Sequence, residues 1–100
     1  MARSKLYRLH PLAWAEIEGG DDWYRQRSPE ASTDFVAEVF SAIESICEAP
    51  QRWPKHLYGT RRLVLGRFPF SVIYLDTAEV VNIVAVAHSK RKPGYWSRRL

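Results

Sequence analysis

The stretch "VVNIVAVAHSKRKPGYWSRR", Val80 to Arg99, decides how this chain folds. Its first half is an almost unbroken run of β-branched and small apolar residues, the composition of a strand covered on both faces. Such a strand belongs in the interior of a sheet, so other strands must flank it and other layers must cover it. The second half reverses the chemistry: His88 is followed by Lys90, Arg91 and Lys92, then by Tyr95-Trp96 and two more arginines. Proton-transfer, phosphate-binding and stacking side chains are gathered at one end of the strand.

Upstream of it, Arg61 to Leu65 and Phe68 to Asp76 read as two further strands, with Val72 and Tyr74 alternating against Ile73 and Leu75. The links Gly66-Arg67 and Asp76-Thr77-Ala78-Glu79 are short enough for hairpins, which makes the three strands sequential and antiparallel. "QRWPKHLYGT", Gln51 to Thr60, is a polar connector. Before it, "RSPEASTDF" is a helix start, with Ser28 as N-cap, Pro29 in the first turn and Glu30 where the helix dipole favours an acid. Phe35, Val36, Val39, Phe40, Ile43, Ile46 and Cys47 then form an apolar stripe that stops at Pro50, predicting a helix of about 20 residues, ~30 Å long. An earlier helix over Leu12 to Arg25 follows from Ala13, Ile17, Gly20 and Tyr24. Its Gly19-Gly20 pair weakens the helix but permits close approach of a neighbour. Leu6 to Leu9 reads as an edge strand. The expected architecture is α+β: an N-terminal edge strand and an antiparallel two-helix hairpin packed on one face of a twisted antiparallel sheet.

One hundred residues, 46% hydrophobic and 13% aromatic, suit one domain over residues 1–100 and exclude general disorder. No apolar run approaches the ~20 residues of a membrane span. The N-terminus "MARSKLYRLHP" lacks the apolar core of a signal peptide, and the lone Cys47 cannot form an internal disulfide, so a cytoplasmic location is expected. Net charge is +4, but it is unevenly placed: Trp14 to Pro50 holds nine acids and two bases, the rest thirteen bases and two acids. Clustered cations of this kind face a polyanion or keep the protein in solution.

Two motifs carry a family resemblance. "RRLVLGRFPFSVIY" and "VVNIVAVAHSKRKPGYWSRR", together with "WYRQRSPEASTDF" and "AIESICEAPQRWP" at the helical hairpin, resemble the RelE/ParE toxins of bacterial type II toxin–antitoxin pairs over Leu9 to Arg99. The resemblance implies a growth-arresting toxin, a cognate antitoxin protein as partner, operator DNA reached only through that antitoxin, and no cofactor. It implies one of two targets: DNA gyrase, as in the ParE-like branch that the motifs resemble more, or ribosome-bound mRNA, as in RelE-like endoribonucleases.

The residues bear on that choice. Cleaving RNA through its 2′-hydroxyl needs a base, an acid and fixed positive charge at the phosphate. His88, Arg91 and Tyr95 are the candidate catalytic set if the chain is a nuclease, and Arg61, Arg62, Lys90 and Lys92 are candidate phosphate or nucleic-acid contacts. A plain nucleic-acid-binding module would use the same cations. Trp96 reads as a packing anchor, Phe68-Pro69-Phe70 as a seal between sheet and helices, and His10 and His56 as lone loop residues. No two histidines or acids stand at metal-ligand spacing, so no metal site is expected.

Overall fold

The computed structural model describes residues 4–100. Strand β1 (Leu6–Leu9) leads into helices α1 (Pro11–Arg25) and α2 (Pro29–Glu48), followed by β2 (Arg61–Val64), β3 (Phe70–Asp76) and β4 (Val80–His88). One-turn 3-10 helices cover Leu57–Gly59 and Ser97–Arg99.

Both long helices begin where local chemistry satisfies their first free amides. His10 caps α1 through Nδ1, which accepts from the Leu12 N–H at 3.0 Å, and Ser28 caps α2 by accepting from Ala31 N–H at 3.2 Å. A proline follows each cap, pre-set for a first helical turn. The helices pack at the glycine pair. A Cβ on Gly20 would sit 2.6 Å from the Phe35 ring, so only glycine lets this aromatic of α2 lie against α1.

The sheet order is β1-β4-β3-β2, which puts β4 inside it as its composition requires. β2, β3 and β4 form the expected antiparallel meander. β1 is the expected edge strand but runs parallel to β4, Leu6 opposite Val80 and Leu9 opposite Ile83, so the sheet is mixed and not antiparallel throughout. The physical reason is connectivity: two helices and two strands lie between β1 and β4, a connection long enough to permit parallel pairing, whereas tight turns impose the antiparallel pairs. β3 begins at Phe70 and not at Phe68, because Pro69 has no N–H to donate to a ladder.

Between the pairs Ile73–Ala85 and Tyr74–Ile83, Val84 is an extra residue, a β-bulge that shifts the alternation of β4. Val81, Ile83 and Val86 therefore face the helices, with Phe35, Val39, Ile43, Ile46, Val72 and Tyr74. Val84 and Ala85 face the opposite side and form a second core with Ile73 and Trp96. The Tyr74 hydroxyl donates to the Pro50 carbonyl, and burial pushes its pKa up to about 12 against the opposing charge of Arg61. Phe68 and Phe70 close the helix side against Phe35, with ring centroids 5.5 and 4.8 Å away.

Candidate functional site

β4 outruns β1. Pairing with β1 ends at Ile83, after which the His10 N–H donates to the Ile83 carbonyl at 3.0 Å, and the rest of that edge of β4 has no strand beside it. Its polar groups still need partners. Glu16, on α1, supplies one: its Oε1 accepts from the Val86 N–H at 3.0 Å. Arg99 supplies another, donating to the Val84 carbonyl at 3.1 Å. The two side chains bind each other, Arg99 Nη1 to Oε1 at 2.8 Å and Nη2 to Oε2 at 3.0 Å, in the bidentate geometry that suits arginine and carboxylate. The Tyr95 hydroxyl also donates to Glu16 Oε2.

One carboxylate thus holds the segment after His88 folded back as a strap over the second face of the sheet. Trp96 is the apolar anchor of that strap, 1% exposed. Burial, then the hydrogen bond to Glu16 and its charge, push the Tyr95 pKa well above the ordinary phenol range. Burial opposes the charge on Arg99, but its bonds to Glu16 outweigh this and raise its pKa. Nothing in the local sequence marks Glu16, one of nine acids in its region; the topology selects it by laying that turn of α1 along the free edge of β4.

Of the candidate catalytic residues, His88, Arg91 and Tyr95 are brought together around a hollow of about 200 Å³. Their functional atoms are engaged to different degrees. His88 Nδ1 accepts from the Lys90 N–H at 3.1 Å, and its ring packs edge-on to Phe70 at 4.9 Å. The Arg91 guanidinium lies over the Tyr95 ring, 3.9 Å from its centroid.

The candidate phosphate contacts separate. Arg61 and Arg62 are consecutive in β2 and so point to opposite faces. Arg61 turns its guanidinium to the connector, donating to the carbonyls of Trp53 at 2.7 Å and Gln51 at 3.3 Å. Arg62 lines a hollow of about 130 Å³ with Arg91, Lys92, His88 and also His56, which the sequence offered only as a loop residue. Burial and then the charge of Arg62 lower the His56 pKa. Lys90 lies apart, beside a hollow next to α1.

The fold matches known proteins. A family profile described as "ParE toxin of type II toxin-antitoxin system, parDE" matches residues 7–93. Among solved structures, the "Chromosomal ParDE TA system from P. aeruginosa" superposes with a TM-score of 0.77 at 17% identity, covering 89% of this chain and 100% of that one. No curated protein matches the sequence at a significant level. The family match makes the chain a type II toxin, and its fold, two helices packed on a four-stranded sheet with an N-terminal strand, is that of the superposed structure. The chain belongs to the ParE toxin family, so its partner is a cognate antitoxin.

Proposed function

We propose that this toxin arrests bacterial growth from the cytoplasm by acting on DNA gyrase and not by cutting mRNA. One observation carries the reading: the Tyr95 hydroxyl donates to Glu16, beneath the Arg91 guanidinium stacked on its ring. Cleavage through a 2′-hydroxyl needs both a base and an acid. With the Tyr95 proton directed to a carboxylate and its pKa raised, the candidate catalytic set of His88, Arg91 and Tyr95 is left with the remaining nitrogen of His88 for two tasks. The rest of the set suits a binding surface. Among the described residues, no helix is long and apolar enough to cross a membrane.

The test is one induction experiment scored twice. Purified protein should inhibit supercoiling and trap cleaved DNA with gyrase, and induced cells should show DNA breaks without new mRNA 5′ ends. Codon-linked mRNA cuts that disappear in a His88→Ala strain would replace this reading with the ribosome-dependent endoribonuclease. Tight, salt-dependent binding to naked nucleic acid with normal growth would replace it with a non-toxic binding module. Contact with operator DNA, in this reading, runs through the antitoxin.

A further inference from the structure

On the α1 side of His88 a second, larger hollow of about 420 Å³ is lined by Gly19, Gly20 and Trp23 of α1, Phe70 of β3, His88 and Lys90. Its volume lies in the range of small-molecule sites, roughly 300 to 1,000 Å³. The lining combines aromatic faces with polar groups of one kind. Trp23 is 52% exposed, with the Arg27 guanidinium over one face of its ring 3.6 Å from the centroid, which leaves the other face for a ligand, and the Phe70 and His88 rings meet edge to face. No acid lines this hollow, and among the described residues Lys90 has no acidic partner, although Lys5, Arg25, Arg67 and Arg99 each have one. Because His88 Nδ1 accepts from a backbone N–H, the neutral ring carries its proton on Nε2 and offers a donor. Tyr24 also lines the hollow and carries an O–H, so all three polar side chains there can donate, and they ask for an acceptor-rich anion.

Gly19 adds an independent sign. Unlike Gly20, it has no packing reason to be glycine: a Cβ there would meet nothing within 4 Å, yet glycine inside a helix is unfavourable. What its missing side chain leaves is open space at the hollow. The adjoining hollow shares Gly19, Gly20, Phe70 and His88 and adds Arg91, a second cation, together with Glu16, whose carboxylate is already held by Arg99 and Tyr95.

We propose that this hollow binds one nucleotide unit, its base against the Trp23 and Phe70 rings over Gly19 and its phosphate at Lys90. Flat π-faces and an oxyanion are the two features that such a lining recognises together. The site is independent of the gyrase reading and is tested without it.

The test titrates the ¹⁵N-labelled full chain with AMP, with UMP and with an oligothymidylate of eight nucleotides, at low and high salt. The Trp23 indole signal, assigned by Trp23→Phe, is followed. A saturable shift weakened at least tenfold in Gly19→Leu and in Lys90→Glu is the expected result. Saturation by the mononucleotides assigns the site to free nucleotides, and saturation by the oligomer alone assigns it to a single strand; either supports the proposal. The absence of a saturable shift at millimolar ligand overturns it, as does unchanged binding by a Gly19→Leu protein that melts no lower than the wild type. Should Gly19→Leu fail to fold, unchanged binding by Lys90→Glu overturns it alone.

Discussion

At the scale of single residues, Glu16 has the most to lose. Its carboxylate accepts from a sheet-edge amide, a phenol and both arms of a guanidinium, and its side chain is 16% exposed. Glu16→Ala leaves the Val86 N–H without its partner and Arg99 as an unpaired, poorly solvated charge. The expected cost is about 3 kcal/mol, read as a fall in the urea midpoint. Glu16→Gln, which keeps an acceptor for Val86, should cost less, and equal losses in the two variants would contradict this assignment. His56 gives a pH dependence of definite sign. Its folded-state pKa lies below the ordinary ~6.5, so protonation disfavours the native state. The stability it contributes is full above that value and declines as pH falls through the lowered pKa. A melting-temperature series from pH 7.5 to 5 should therefore flatten in His56→Asn, and an unchanged slope would remove His56 as its source. Tyr95 acts in the opposite direction: its raised pKa makes its contribution fade as pH climbs above ~10.

At the scale of elements, the contact between α1 and α2 depends on a missing side chain. Gly20→Ala places a Cβ 2.6 Å from Phe35, whose ring is also held by Tyr24, Phe68 and Phe70, so the ring has little room to give. The loss should be about 1–3 kcal/mol by chemical unfolding, although alanine is the better helix former. A stabilised Gly20→Ala protein would mean that the helices repack freely. These elements were legible in the sequence because each carries a local signal: Ser28-Pro29 for the start of α2, the apolar stripe behind it, and the Val80–Val86 run for an interior strand. The parallel pairing of β1 was not legible, because four residues of edge strand carry no mark of direction. The bulge at Val84 escaped for a related reason: in a run that is apolar at nearly every position, a shift in alternation leaves no trace. At the site, the sequence marked His88, Arg91 and Tyr95 by type and proximity. The split of Arg61 from Arg62 follows from their being neighbours in a strand, but the sequence could not mark Glu16 or say which arginine faces the hollow, because both depend on topology.

At the scale of the whole molecule, the acids of the helical hairpin and the cations of the sheet and strap give the toxin two electrostatic sides. Arg62, Arg91 and Lys92 converge on one hollow, and among the described residues none of them is paired with an acid. An antitoxin segment that is acidic and partly apolar fits this side, by lying in a groove or adding a strand at a sheet edge. Association should accordingly slow as salt rises. A toxin–antitoxin complex that omits Arg61, Arg62, His88 and Arg91 altogether would show that recognition lies elsewhere.

The pairing of β1 with β4 also sets a schedule. Of the sheet's four strands, the earliest in sequence binds the latest, and β3 must wait for the same partner on its other side. A chain emerging from the ribosome therefore carries its helical hairpin and the β2-β3 pair before their shared neighbour exists, and the helix-side core closes only when β4 is released. The cations of the strap follow directly on the strand that completes the sheet, so the binding surface for an antitoxin and the sheet that carries it are finished together.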